Sequence, residues 1–187
     1  MKGTWDEAPD PLSALRAGDS SRFEAFVESE AGTLVAFFTR LGAGRAEAED
    51  LCQEVFLKMY RSVDSYRSQD RFVPFVFRIA RNAWIDRRRR RAIRPVGEDE
   101  DGGTPLARME DDSEPALEHL SRREEVARLH SALADLSEPH RLVFELGVLQ
   151  EMPYADISET LDIPVGTVKS RMFHAVRKLR EALEAKQ

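Results

Sequence analysis

The chain has 187 residues, of which 33% are charged and 42% hydrophobic, and its formal net charge is −6. This length fits one or two small domains, and the composition excludes a chain that is disordered throughout. The single cysteine, Cys52, excludes an internal disulfide and favours a reducing compartment. The sequence contains neither a signal peptide pattern nor an apolar run long enough to span a bilayer. We therefore expect a cytoplasmic protein that does not insert into a membrane.

Charge is distributed unevenly along the chain. Between Arg78 and Arg94 there are eight arginines and one acid, whereas Glu98–Glu118 contains nine acids and one arginine. Between Ile163 and Arg180 there are five basic residues and no acid. Because charges in solution are screened over about 8 Å at physiological salt, a bound phosphate interacts mainly with the local patch. The acidic total therefore does not exclude nucleic acid as a partner.

Apolar residues at helical spacing predict a first domain of three helices. We place this domain at residues 19–94, after an N-terminal tail at residues 1–18. The helices are predicted at Phe23–Leu41, about 46–63 and about 74–91, separated by a break at Gly42 and Gly44 and by a polar loop at Asp64–Arg71.

Residues 95–120 are predicted to form an acidic flexible linker. The segment contains acids, glycines and prolines but few apolar residues, so it cannot bury enough surface to fold alone. A solvated spacer is the simplest interpretation. An alternative is that its acids fold back over the basic faces of the protein and mask them.

A second helical domain is predicted at residues 121–187. Val126, Leu129, Leu133 and Leu136 share one helix face, and no strand-like alternation of useful length occurs in the chain. The predicted fold class is therefore all-α, with two small helical domains joined by the acidic linker.

The segment Tyr154–Arg180 has the pattern of a helix-turn-helix. A break at Asp162–Pro164 separates two short helices, and the second directs Val168, Met172 and Leu179 toward the core. Its opposite face is polar and basic, which suits phosphates and the base edges in the major groove. An ordinary amphipathic helix with a solvated basic side is the alternative.

The arginine-rich helix follows a loop that carries aromatic residues. Sites for single-stranded DNA combine rings that stack on unpaired bases with cations that follow the backbone. Tyr66 and Phe72, beside Arg78–Arg91, fit this composition. The alternatives are that the aromatic residues, together with Phe75 and Trp84, belong to the core and that the arginines form a solvated helix end.

In two places the chain resembles the group IV, or extracytoplasmic-function (ECF), sigma factors of bacterial RNA polymerase, in the sigma-70 family. Region 2 of that family is similar to AEDLCQEVFLKMYRSVDSYR at Ala48–Arg67 and FVPFVFRIARNAWIDRRRR at Phe72–Arg90. Region 4 is similar to LSEPHRLVFELGVLQEMPYADISETLDIPVGTVKSRMFHAVRKLREAL at Leu136–Leu183. The resemblance covers most of both predicted domains, in the family's order. The chain departs from the family at Phe75 and Val76, where tryptophan is frequent.

The resemblance implies a transcription initiation subunit without catalytic activity. Asp50, Gln53 and Glu54 would bind the clamp of the polymerase β′ subunit, although a solvated acidic face is the alternative for these residues. The polymerase β subunit, duplex and single-stranded promoter DNA, and an anti-sigma factor are further implied partners. No cofactor or metal is expected.

The resemblance also implies two DNA-reading sites, one in each domain. The −10 element would be melted and read by Tyr66, Arg67, Phe72, Arg78, Arg81, Asn82, Asp86, Arg87, Arg88 and Arg89. The −35 element would be read by Thr167, Lys169, Ser170, Arg171, Phe173, His174, Arg177 and Lys178.

Two other functions are weighed against this one. A stand-alone helix-turn-helix regulator would explain the C-terminal helices but leaves the arginine-rich helix without a role. An enzyme is disfavoured because the four histidines lack zinc-ligand spacing and no glycine-rich phosphate loop precedes a helix.

Overall fold

The computed structural model describes residues 5–7, 9–67, 71–93 and 131–184. Helices form all the regular secondary structure in these ranges, which confirms the predicted all-α fold. The predicted linker at 95–120 lies outside the described residues, as do Val126 and Leu129. None of the described helices is both long and apolar enough to cross a membrane.

The described residues of the first helical unit form four α-helices. They are α1 at Pro11–Arg16, α2 at Ser21–Leu41, α3 at Arg45–Arg61 and α4 at Phe72–Ile93. Gly42 ends α2 with a φ of 107°, a left-handed conformation that glycine adopts without strain. Pro74 lies within the first turn of α4, where a missing N–H leaves no helical hydrogen bond unmade.

Helix α1 was not predicted from the sequence. The Asp10 carboxylate caps it by accepting hydrogen bonds from the backbone N–H groups of Leu12 and Ser13 at 3.0 and 2.9 Å. The side chain of Leu12 is fully buried. The Arg16 guanidinium donates to the carbonyl of Val63 at 3.0 Å. This short helix is therefore packed into the first unit.

The core of the first unit is rich in aromatic rings that meet edge to face. The Phe26 and Phe72 ring centroids lie 4.9 Å apart at an interplanar angle of 81°. Phe37 and Phe77 are also fully buried, and their centroids are 5.3 Å apart. Cys52 lies in this core, with its thiol 3.6 Å from the carbonyl oxygen of Ala31. This packing fixes α4 against α2.

Within residues 131–184 of the second unit, residues 131–134 are helical and are followed by three α-helices and one π-helical turn. They are α5 at Glu138–Phe144, the π-helix at Glu145–Leu149, α6 at Tyr154–Leu161 and α7 at Val165–Glu184. Asp162 ends α6 in the left-handed conformation with a φ of 53°, which produces the predicted break before α7. Helix α7 packs on both α5 and α6.

Gly147 lets the π-helix approach α7 closely. A Cβ atom at this position would lie 2.4 Å from the terminal methyl of Met172 and 3.2 Å from Cδ1 of Ile157. No side chain fits there without moving those neighbours. A side chain at position 147 would therefore displace the flexible end of Met172.

Candidate nucleic-acid interface

Helix α7 presents a polar face to solvent, as predicted. Val168, Met172, Ala175 and Leu179 are buried and hold the helix in the second unit. Thr167 and Arg171 are half-buried, and the other predicted −35 residues are exposed, namely Lys169, Ser170, Phe173, His174, Arg177 and Lys178.

The start of α7 is open around Gly166. The carbonyl of Pro164 accepts hydrogen bonds from the N–H groups of Thr167 and Val168 at 2.8 and 3.1 Å. Apart from its chain neighbours and the helix backbone, a Cβ atom built on Gly166 would have no atom within 4 Å. The amide groups of a helix N-terminus attract anions. Packing therefore does not require glycine at position 166. Because glycine has no side chain, this end of the helix is accessible.

His140, which was not predicted as a site residue, lies beside the polar face of α7. Its ring centroid is 6.1 Å from that of His174, and its Nδ1 is 2.5 Å from the Ser137 hydroxyl oxygen. Burial lowers the pKa of His140, and the nearby charges of His174, Arg171 and Lys178 lower it further. Burial and the neighbouring basic groups therefore both disfavour the protonated form of His140.

The predicted −10 residues of α4 are mostly accessible. Arg78, Asn82, Asp86, Arg88 and Arg89 are exposed, and Arg81 and Arg87 are half-buried. Arg67, at the end of the preceding described segment, is also exposed.

Two of these arginines lie over aromatic rings. The Arg78 guanidinium is 5.5 Å from the centroid of the Phe75 ring, and that of Arg88 is 5.8 Å from the Trp84 ring. These distances are within the range of cation–π interactions. The rings therefore hold the arginine side chains on the surface of α4.

The burial of two predicted −10 residues contradicts their predicted role in stacking on bases. Phe72 is fully buried, and Tyr66 is only 5% exposed. The two rings meet edge to face with centroids 6.4 Å apart, and Tyr66 also lies 4.8 Å from Phe75. A ring enclosed in this way has no free face for a base. Tyr66 and Phe72 therefore belong to the core, which was the alternative interpretation.

The predicted polymerase-binding residues lie next to the C-terminal half of α4. Asp50 is 3.6 Å from Arg87, and Glu54 is 3.9 Å from Arg90 and 2.7 Å from Lys58. Gln53 is exposed on the same helix. The structure thus brings the acidic face of α3 and the arginines of α4 into one charged surface.

Three further residues of this surface were not predicted from the sequence. Glu47 pairs with Arg91 at 3.0 Å and with Arg87 at 3.7 Å. Leu57 and Tyr60 are 54% and 56% exposed and add apolar area to the same surface. Along α3, each of these residues lies three or four positions from a predicted polymerase-binding residue or from another of the three. Residues at that spacing share a helix face, so the spacing could have identified them.

The two units contact each other on the side where α4 carries its predicted DNA-reading residues. Helix α4 packs against α6. Arg81 of α4 and Arg171 of α7 line the same cleft, together with Ile85, Glu138 and Leu161. The described residues contain no group of three or more acidic, histidine or cysteine side chains arranged to hold a metal ion.

Comparisons with known proteins find matches to both halves of the chain. The family model of sigma-70 region 2 matches residues 26–93, and that of sigma-70 region 4 matches residues 126–179. The chain is 33% identical to the ECF RNA polymerase sigma factor SigL of Mycobacterium tuberculosis over 92% of this chain and 95% of SigL. It is 33% identical to the ECF RNA polymerase sigma-E factor of Haemophilus influenzae, over 94% of this chain and 92% of that protein.

Two solved structures share the fold. CnrH, in complex with the cytosolic domain of CnrY, aligns with a TM-score of 0.69 and 21% identity over 94% of this chain and 96% of that chain. The sigma factor RpoE of Bartonella quintana, in complex with the anti-sigma factor NepR, aligns with a TM-score of 0.66 and 24% identity. That alignment covers 88% of this chain and 98% of RpoE.

Proposed function

The chain belongs to the sigma-70 family as an ECF sigma factor that directs transcription initiation, and we propose that it binds core RNA polymerase and reads promoters through two separate sites. The observation that carries this proposal is the presence of two basic helices, one in each matched region, with an acidic face beside the first. A stand-alone helix-turn-helix regulator would need only the second helix.

Polymerase binding is assigned to one face of α3. Asp50, Gln53 and Glu54 supply polar and acidic groups, and the exposed side chains of Leu57 and Tyr60 continue this surface with apolar area. Aromatic and apolar side chains at the centre of an interface contribute most of the binding energy, and charged groups at its edge direct the orientation. This composition fits docking on the β′ clamp and further contact with the β subunit.

Recognition of the −10 element is assigned to the accessible residues of α4 and the adjoining loop. The arginines Arg78, Arg81, Arg87, Arg88 and Arg89 would neutralise phosphates of the displaced strand. Exposed Asn82 offers an amide that can pair with base edges, and Asp86 offers an acceptor. Arg67 would extend the same basic path. With Tyr66 and Phe72 in the core, cations and polar groups contribute more to this site than ring stacking does.

Recognition of the −35 element is assigned to α7 in the major groove of duplex DNA. Arg171 and Arg177 can pair with guanine edges. Lys169, Ser170, Lys178 and the start of the helix at Thr167 can bind phosphates. Exposed Phe173 and His174 provide apolar and polar contact in the groove.

The protein is proposed to act without cofactor or catalytic chemistry of its own, in the cytoplasm, where polymerase and promoter DNA are found. An anti-sigma factor is a further proposed partner, because RpoE of Bartonella quintana, which shares the fold, forms a complex with one. Such a partner would compete for the surfaces that bind polymerase or DNA.

Run-off transcription with purified core polymerase on a promoter library tests the function. We expect transcripts that begin at a defined distance from paired −35 and −10 elements and that require this protein. Tight sequence-specific binding of duplex DNA by the free protein, with no effect on transcription by core polymerase, would contradict the proposal.

The Glu54→Lys variant tests the polymerase-binding face. We expect weaker assembly with core polymerase because the charge on α3 is reversed at a partly exposed position, whereas Glu28→Lys on exposed α2 surface is the matched control and should assemble normally. Assembly is measured by gel filtration, and the folding of both variants is checked by circular dichroism. Normal assembly of Glu54→Lys would remove Glu54 from the interface.

A further inference from the structure

The N-terminal segment, residues 5–7 and 9–16, contacts both ends of the connection between α3 and α4. This connection runs from residue 62 to residue 71 and adjoins the proposed −10 site. Arg16 of the segment reaches the start of the connection. Asp6 reaches the first turn of α4, directly after its end. The part of the chain that the sequence predicted as a tail is therefore packed beside the proposed −10 site.

Helix α4 takes its N-terminal cap from this segment. Arg71 occupies the capping position, because its carbonyl accepts the first helical hydrogen bond, from the N–H of Phe75 at 3.2 Å. An arginine side chain has only donors, so it cannot accept from the free amide groups of the first turn. The Asp6 carboxylate accepts instead from the Val73 N–H at 2.8 Å, and the Phe72 N–H also lies against it. Asp6 therefore caps α4 from 67 positions before Val73.

Trp5 fixes the position of its neighbour Asp6. The indole N–H of Trp5 donates to the Glu30 carboxylate of α2 at 2.9 Å. Its ring meets the buried Phe26 ring edge to face, with centroids 5.4 Å apart. A charge-assisted hydrogen bond and an aromatic contact thus anchor this end of the segment on α2.

Arg16 holds the start of the connection through two backbone carbonyls. Its Nε donates to the Val63 carbonyl at 3.0 Å, and its Nη2 donates to the Tyr66 carbonyl. The chain turns on itself here, with the Tyr66 N–H donating to the Ser62 carbonyl at 2.8 Å. The rigid fork of a guanidinium suits two such acceptors, whereas an ammonium group is a single point charge. Arg16 therefore fixes the turn that leads directly to Arg67.

Holding both ends of a connection limits the directions in which its middle can point. Asp6 and Arg16 both bind backbone groups, so they constrain the main chain and leave the side chains of the connection free for other contacts. Arg67, one of the proposed −10 residues, is exposed between the two held points. A site that is ordered before its ligand arrives loses less entropy on binding. The N-terminal segment therefore orders a site to which it contributes no exposed group.

We propose that the N-terminal segment is a positioning element for −10 recognition. Asp6 and Arg16 act through the backbone of the α3–α4 connection, and they orient Arg67 and the first turns of α4 toward the melted strand. Neither of the two side chains has to contact DNA. The positioning role rests on the proposed −10 site, whereas the capping of α4 by Asp6 does not.

Amide hydrogen exchange in the free protein, followed by NMR, tests the cap. We expect the Val73 amide to exchange about fivefold faster in Asp6→Ala, the factor that corresponds to the typical loss of a helix cap. Asp6→Asn keeps an acceptor and should stay within about twofold of the wild-type rate. Glu7→Ala removes an exposed acid from the same segment and is the matched control. An unchanged Val73 rate in Asp6→Ala would overturn the cap.

The kinetics of promoter opening by the holoenzyme test the positioning role. A fluorescent base in the −10 element reports opening, and titration with holoenzyme separates the initial binding constant from the opening rate. We expect Asp6→Ala and Arg16→Ala each to lower the opening rate about fivefold and to leave initial binding within about twofold, because α7 and the polymerase contacts are unchanged. Asp6→Asn should restore opening. Arg45→Ala, on an exposed part of α3, controls for the loss of a positive charge.

Discrimination between bases separates positioning from a general loss of stability. On single-base variants of the −10 element, the ratio of opening rates between preferred and other bases should fall about threefold in Asp6→Ala and Arg16→Ala. Discrimination at the −35 element should not change. Equal losses at both elements, weaker assembly with polymerase, or wild-type rates and ratios in both variants would overturn the positioning role. Failure of wild-type run-off transcription would instead contradict the proposed function itself.

Discussion

The two basic helices of this protein differ in how their positive charge is neutralised. On α4, Arg87 and Arg91 pair with Glu47 of the adjacent helix, and Arg88 pairs with Glu138 of the second unit. On α7, Arg177 pairs with Glu181 of its own helix, and Lys169 has no carboxylate partner among the residues that the structure describes. The arginines of α4 are paired with carboxylates of other elements although most of them stay exposed, whereas α7 presents its charge to solvent.

This difference matches the two kinds of DNA that the helices are proposed to bind. A duplex is present before transcription begins, so a surface that reads it can remain exposed and folded in advance. A single strand becomes available only after the promoter has melted. A site for that strand that relied on phosphate contacts alone would bind nucleic acid without regard to promoters, because phosphate contacts carry no sequence information.

Two phenylalanines near the ends of the proposed sites give the largest expected difference in stability. Phe72, at the start of α4, is fully buried, whereas Phe173 on α7 is 64% exposed. We expect Phe72→Ala to lower the free energy of unfolding by about 3–5 kcal/mol, measured by urea denaturation. Phe173→Ala should change it by less than about 0.5 kcal/mol and should weaken binding to −35 duplex DNA. Equal destabilisation by both variants would contradict the difference in burial between Phe72 and Phe173.

Arg171→Ala probes base reading by α7. We expect a loss of about 1–3 kcal/mol in binding to the −35 duplex, with relaxed preference at one base position. Fluorescence anisotropy with holoenzyme on a set of single-base promoter variants measures both quantities. A uniform loss on all sequences would instead identify Arg171 as a phosphate contact.

Arg89→Ala probes phosphate binding by α4. Arg89 is exposed at the C-terminal half of this helix. We expect the slope of log K against log salt for promoter binding by holoenzyme to fall in magnitude by about 0.7–0.9, the contribution of one phosphate contact. Arg45→Ala on α3 is the control and should leave the slope unchanged. An unchanged slope for Arg89→Ala would place its side chain away from DNA.

His140 gives the smallest expected effect, a dependence of stability on pH. Its pKa in the folded protein is lowered by burial and by nearby positive charge, so the unfolded chain binds the proton more tightly. Stability from this residue is complete above the unfolded-state pKa of about 6.5 and is lost as pH falls through the lower folded value. Urea denaturation at pH 7.5 and 5.5 measures it, with His140→Gln as the variant that should reduce the difference. A folded-state pKa above 6.5, measured by NMR, would contradict this sign.

Local patterns predicted most of the fold. The periodicity of apolar residues predicted α2, α3 and α4. The structure also has the predicted break at Asp162 between the two helices of the C-terminal pair. These features depend on residues that are close together in the sequence. Helix α1 was missed because six residues are too few to show a period, and a buried leucine with an aspartate cap is informative only once the partner helix is known.

The contacts between distant parts of the chain could not be predicted in this way. Arg40 and Glu145 are separated by 105 positions, and nothing in their local sequence marks them as partners. Tyr66 and Phe72 had the composition of a stacking site, and only their packing against other rings shows that they are core. The DNA-reading residues of α4 and α7 remain predictions that the experiments above address.

The environment of Cys52 has a consequence for how signals can reach this protein. Burial raises the pKa of its thiol to about 11, so the group is protonated at neutral pH as well as covered. Oxidants and disulfides react with thiolates that they can reach. Since this is the sole cysteine of the chain, the protein has no accessible thiol with which to sense peroxide or a change in cellular redox state.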